Sequence, residues 1–173
     1  MNELLWKAVA KIVAIPVIAD YLIERSKKTP YFHLDGYMNR YWLFNPYNNT
    51  GPEDSRHNQK KYPWLPSIRV HHILRADKGD HPHDHPWDAR TIILKNWYVE
   101  RRHIADTEFY QVRARHAGDT ASISLGEYHH IEHVHSAGAW TLFFTWDYQG
   151  TWGFLVDGFK IKWREYVAAY PAR

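Results

Sequence analysis

The chain has 173 residues, 45% of them apolar and 16% aromatic; this is enough for one domain with a real core, too short for two comfortable ones, and too apolar for a disordered chain. A net charge of +3 with neutral histidines leaves no electrostatic footprint for nucleic acid. With no cysteine, disulfides, thiolate zinc sites and a cysteine nucleophile are excluded, so any metal here must be held by nitrogen and oxygen.

At the N-terminus, residues 3–28 (ELLWKAVAKIVAIPVIADYLIERSKK) carry Leu5, Val9, Ile12, Val13, Val17 and Tyr21 at helical spacing, which predicts an α-helix kinked at Pro16. The apolar run Ile12–Ala19 is too short to span a bilayer. Lysines ahead of it and VIA before Asp20 sketch a signal peptide, but Lys11 abuts a minimal apolar run, so a helix packed on the domain or on a partner subunit is expected. The protein is accordingly read as cytoplasmic, without membrane association. Residues 29–66, with Pro30, Pro46, Pro52, Pro63 and Pro66, read as an irregular arm. Within it, the aromatic insert Tyr37–Tyr47 is expected to lie against a sheet, and the polar run Asn48–Lys61 to be mobile or wrapped around the domain. Two parts follow: residues 1–66, a helix and arm packing on the barrel or a partner subunit, and residues 67–173, the barrel with a C-terminal extension.

From Ser67 the pattern changes to short β-like runs: SIRVHHILRA, ARTIILKNWYVERR, EFYQVRARH, TASISL, HHIEHVH, AWTLFFTWDY and WGFLVDG, with Gly and Asp in the breaks. Such spacing predicts a β-sandwich or small barrel. The final KIKWREYVAAY reads as a strand passing into a short helix.

The stretch KGDHPHDHPWDAR, Lys78 to Arg90, sets His81, His83 and His85 at alternate positions. On an extended chain residues i and i+2 share a face, so His83 and His85 can point into a barrel while Asp84 points away. A third ligand must come from elsewhere, and EYHHIEHVH offers His129, His130, His133 and His135.

These residues resemble the cupin superfamily. GDTASISLGEYHH is similar to the second cupin motif, with Gly118, Gly126 and His129 in place and Ser124 where proline is usual; His83-Asp84-His85 is similar to the HxH of the first. HDHPW, Trp140–Thr145 and Trp152–Phe154 look like those of small, largely uncharacterised cupins of bacteria and bacteriophages. The pattern departs from the family at Asp77, where a Gly is expected, at Ala89 or Arg90, where the motif has its Glu ligand, and at Asn96, in place of a later Gly.

The resemblance implies an all-β fold, a double-stranded β-helix or jelly-roll barrel, with the N-terminal helix and arm added. It also implies a divalent metal on His83, His85 and His129, with Fe(II) favoured and Mn(II), Ni(II) or Zn(II) as alternatives, and a homodimer, as cupins commonly are. Asp88 and His81 are the candidate additional ligands. Glu100 and Arg90 are the candidate catalytic residues, Glu100 to move a proton and Arg90 as an anion clamp standing where the family has its Glu. Three neutral imidazoles leave an octahedral ion its full charge and about three open positions. The chain is therefore expected to be a mononuclear non-haem metal enzyme of oxygenase type acting on a small organic substrate. A metal-dependent isomerase or lyase on the same site and a non-catalytic ligand-binding or structural cupin are the alternatives.

Overall fold

The computed structural model describes residues 2–47, 60–105, 107 and 109–170. Two helices open it, α1 (Glu3–Val13) and α2 (Pro16–Ser26). The Asn2 side chain caps α1 by accepting from the Leu5 amide. Pro16 starts a second helix and does not kink one long one: it occupies the first turn of α2, where its missing N–H costs nothing. The face turned to the domain centres on Trp6, Ala10, Ala19 and Ile23, with Val9, Val13 and Leu22 beside them. Of the expected stripe, Leu5, Ile12, Val17 and Tyr21 are exposed. Bulky Trp6 selects the buried face, and small Ala10 and Ala19, both fully buried, let the helices approach the sheet. No helix among the described residues is long and apolar enough to cross a membrane.

The strands are β1 (Met38–Phe44), β2 (Ser67–Ile73), β3 (Ala89–Lys95), β4 (Trp97–His103), β5 (Tyr110–His116), β6 (Thr120–Ile123), β7 (His129–Val134), β8 (Ala139–Thr145), β9 (Gly153–Val156) and β10 (Phe159–Lys162), followed by helix α3 (Trp163–Ala169). One antiparallel sheet runs in the order β1-β2-β8-β3-β6. The second holds β5-β4-β7, and residue His83 bridges it to the β9-β10 ribbon by pairing with both His129 and Phe154. Two facing antiparallel sheets, their edges joined by crossing loops, make a jelly-roll sandwich.

Two details correct the sequence-based elements. The aromatic insert expected to lie against a sheet is itself an edge strand: β1 pairs with β2 from Met38↔Ile73 to Phe44↔Ile68. The single run Ala89–Arg102 is two strands in different sheets, broken at Asn96, whose φ of 63° turns the chain from one sheet into the other. Asparagine tolerates this left-handed conformation, and its Nδ2 donates to the Gly138 carbonyl at 2.7 Å. The polar run expected over Asn48–Lys61 lies, from residue 48 to 59, outside the described residues.

Alternation along β2 and β3 sorts side chains to two layers. Val70, Ile92, Leu94 and Leu142 meet the N-terminal helices. Arg69, His71, Ile73, Thr91, Thr141 and Phe143 point the other way, into a cavity between the sheets.

Candidate metal centre

His83 and His129 are brought together by the backbone. Each donates its amide to the other's carbonyl at 2.9 Å, a directly opposed antiparallel pair that sets both imidazoles on one face of the sheet. His85, two residues on, joins them on that face. Asp84 points away and is fully buried; it accepts from the Gly153 amide at 2.7 Å and from Lys160, tying the histidine segment to the β9-β10 ribbon.

One ring nitrogen from each of His83, His85 and His129 lies within 4.8 Å of the other two. The Nε2 atoms of His85 and His129 are 2.9 Å apart. Two nitrogens each about 2.1 Å from one ion and at right angles around it would be about 3 Å apart, so this pair has the spacing of adjacent octahedral ligands. Burial lowers the pKa of His83 to about 4 and that of His85 well below its ordinary value, which keeps both rings neutral, as ligation requires. Behind the rings stand two carboxylates. Asp77 Oδ2 is 3.6 Å from His83 Nδ1, and Glu100 Oε2 is 3.7 Å from His129 Nδ1, which has no hydrogen-bond partner of its own. Imidazoles that bind metal through one nitrogen are oriented through the other, so the donor set fits a divalent ion.

Both carboxylates are fixed. Asp77 accepts from the Ile131 amide at 2.8 Å and from the Tyr37 hydroxyl. Burial by itself would raise this carboxyl, but the His83 imidazole, the Tyr37 hydroxyl and the Ile131 amide hold it below its ordinary value. Glu100, fully buried, accepts from Arg115 Nε at 2.6 Å and Arg102 Nε at 3.0 Å. Burial pushes it up, and His129, Arg102 and Arg115 together bring it down to about 2.

The other expected site residues fall elsewhere. Glu100 does not line the cavity; it stands behind His129, its carboxylate accepting from Arg115 and Arg102. Arg90 has the opposite parity to Thr91 and faces the N-terminal helix, where Glu3 binds its guanidinium at 2.7 and 3.2 Å beneath the Trp6 ring. Asp88 is exposed and accepts from the Leu125 amide at 2.9 Å. The His81 ring meets Tyr166 and Tyr170, its Nδ1 3.0 Å from the Tyr166 hydroxyl.

The cavity beside the imidazoles has a volume of about 180 Å³ and is walled by Trp87, Phe143, Trp152, Ile123 and Ile131. Arg69 and Arg40, two cationic lining residues, escaped the sequence reading, as did Thr91 and Thr141, and His71 lines the cavity as well. Arg69-x-His71-x-Ile73 shares one parity on β2, which was the available signal, but a strand buried on both faces does not announce which parity faces the site. Burial holds His71 neutral, and its Nε2 has no partner.

No family model matches the sequence, and no curated protein does. Among solved structures, the chain is similar to Bacillus subtilis oxalate decarboxylase, a protein described with Mn(II) centers, at a TM-score of 0.53 and 13% identity over 87% of this chain and 33% of that one. It is less similar to the capsular polysaccharide assembling protein CapF from Staphylococcus aureus (TM-score 0.49, 12% identity, 66% of this chain and 27% of that one). An Fe(II) form of HppE gives a TM-score of 0.45 at 12% identity over 64% of this chain and 50% of that one. The chain thus spans half or less of the length of each, and at such identities the likeness is one of fold.

Proposed function

From a chain with the cupin jelly-roll fold, we propose a metal-binding cupin that acts as a mononuclear non-haem enzyme of oxygenase type on a small organic substrate. The observation that carries this is the convergence of three imidazoles, with no carboxylate among them, on one end of an aromatic-walled cavity. An Fe(II) ion there would supply open coordination positions and the electrons that O₂ chemistry needs. The chain's own residues do the rest. Asp77 and Glu100 fix the rings of His83 and His129 from behind, and Asp84 with Lys160 anchors the segment that carries His83 and His85. Trp87, Phe143 and Trp152 exclude water and set the size of what can enter.

A metal-dependent isomerase or lyase with Mn(II), Ni(II) or Zn(II) has one observation in its favour. His71 lines the cavity as a neutral imidazole with an unpartnered Nε2, so it is a group placed to hydrogen-bond a bound substrate without metal redox chemistry. Oxygen uptake separates the two: Fe(II)-loaded protein screened against small organic acids, alcohols and thiols consumes O₂ with turnover if it is an oxygenase. Turnover under argon at an unchanged rate would assign the isomerase or lyase chemistry instead, and binding without turnover the non-catalytic one.

A homodimer belongs to the same proposal. Leu4, Val17 and Tyr21 of the two N-terminal helices are 76%, 73% and 67% exposed, an apolar surface that a second copy would cover.

A further inference from the structure

The first sheet turns a charge into the cavity that metal binding does not use. Arg69 stands on β2 with His71 and Ile73 and is 3% exposed. Its guanidinium carbon lies 4.7 Å from the ring centre of Trp42, 4.9 Å from Trp87, 5.4 Å from Tyr47 and 5.5 Å from Tyr31. Among the described residues no Asp or Glu pairs with it, its Nε has no hydrogen-bond partner, and the polar group beside it is the Tyr47 hydroxyl. Ring faces soften the cost of burying a cation, but buried charges are ordinarily paired and hydrogen-bonded, and a guanidinium cannot escape by shedding its proton. A buried cation without a carboxylate partner on the wall of a cavity is the complement of an anion that arrives with the ligand.

The surroundings agree. Arg40, across the strand pair from His71, lines the same cavity and adds a second positive charge, while its Nε is committed to the Phe32 carbonyl at 2.7 Å. The carboxylates near the metal residues, Asp77 and Glu100, stand behind the imidazoles, and among the described residues no Asp or Glu lines the cavity. Trp87 lies between the two ends of the site, its ring stacked on His85 at 5.9 Å and facing Arg69 at 4.9 Å. Arg69 and His85 thus flank the same indole ring, and Arg69 lines one cavity with all three histidines.

We propose that the cavity binds a small organic carboxylate, its carboxylate held by the Arg69 fork and its remaining atoms directed toward His83, His85 and His129. A planar, two-oxygen anion suits one guanidinium between aromatic faces. What becomes of the bound acid rests on the metal-centre proposal above, but its recognition does not.

The test uses the full chain, metal-free and Fe(II)- or Zn(II)-loaded, titrated with propionate, malonate, propionamide and inorganic phosphate, and followed through the tryptophan indole NMR signals. Metal content is measured on the same samples. The metal-free protein is expected to bind the carboxylates at least tenfold more tightly than propionamide or phosphate, and R69M to lose at least tenfold of carboxylate affinity with metal content unchanged. Equal binding of amide and carboxylate, preference for phosphate, or an R69M protein with wild-type carboxylate affinity would overturn the proposal. If R69M does not fold, the wild-type comparison of acid with amide decides. Carboxylate selectivity without metal uptake would leave this inference standing and remove the metal centre; metal uptake without selectivity would do the reverse.

Discussion

Asp77 and Glu100 show how few atoms decide whether three histidines make a site. Each is a buried carboxylate fixed by its own partners and set behind one imidazole. E100Q removes the charge that Arg102 and Arg115 share, so it should cost about 3 kcal/mol of stability and lower metal affinity 10- to 100-fold. Urea denaturation of the metal-free protein and a competition titration with a metal indicator check the two halves. The histidine trio was legible because alternation and the motif spacing act on the same residues. Asp77 was visible only as a place where the family pattern fails, and its role became apparent once β7 set His130 and Ile131 beside it. Arg90 misled for a physical reason: motif position says nothing about parity, and one residue along β3 is the difference between the cavity and the helix face.

The elements hold these residues in register. The segment Pro82–His85 lies between β7 and β9, and Gly153 is where the β9 side is tightest: a Cβ there would sit 2.2 Å from the Ile161 carbonyl oxygen. G153A must therefore push β9 from β10 and disturb the Gly153–Asp84 bond that anchors His83 and His85. We expect a loss of about 2–3 kcal/mol and weaker metal binding, read by denaturation and metal stoichiometry; wild-type values in both would mean that the ribbon does not position the histidines. Most strands could be read from β-branched and aromatic runs. The break at Asn96 could not, because Ala89–Arg102 contains neither Gly nor Pro and the turn depends on one asparagine in the left-handed region. The phase of the N-terminal helices was equally hidden, since apolar residues lie on both faces and only the sheet chooses Trp6 and Ala10 over Leu5 and Ile12.

Across the whole molecule, α1 and α2 close one face of the first sheet. W6A opens the cluster of Val70, Ile92, Leu94 and Leu142 and should cost about 3–5 kcal/mol, measured by thermal or urea unfolding. The exposed apolar side chains of the same helices lead us to expect a dimer by sedimentation equilibrium, converted to monomer by Val17→Glu with Tyr21→Glu; a monomeric wild type would remove this part of the proposal. Acid should weaken the metal-free fold. Burial, with Arg69 and Arg40 nearby, holds the His71 pKa well below that of an unfolded histidine, about 6.5. Between the two values the unfolded chain binds more protons, so the contribution is complete above about pH 6.5 and is lost as pH falls. His71→Leu should flatten part of that slope between pH 7 and 5 in urea titrations.

The most direct measurement is the metal stoichiometry of untagged protein after anaerobic loading with Fe(II), Mn(II), Ni(II) or Zn(II) and desalting, beside folded H83A, H85A and H129A variants. A three-histidine centre predicts close to one ion per chain in the wild type and a loss of most of it in each variant, with circular dichroism unchanged. Wild-type protein that retains none of these ions, or variants that retain as much as the wild type, would contradict it.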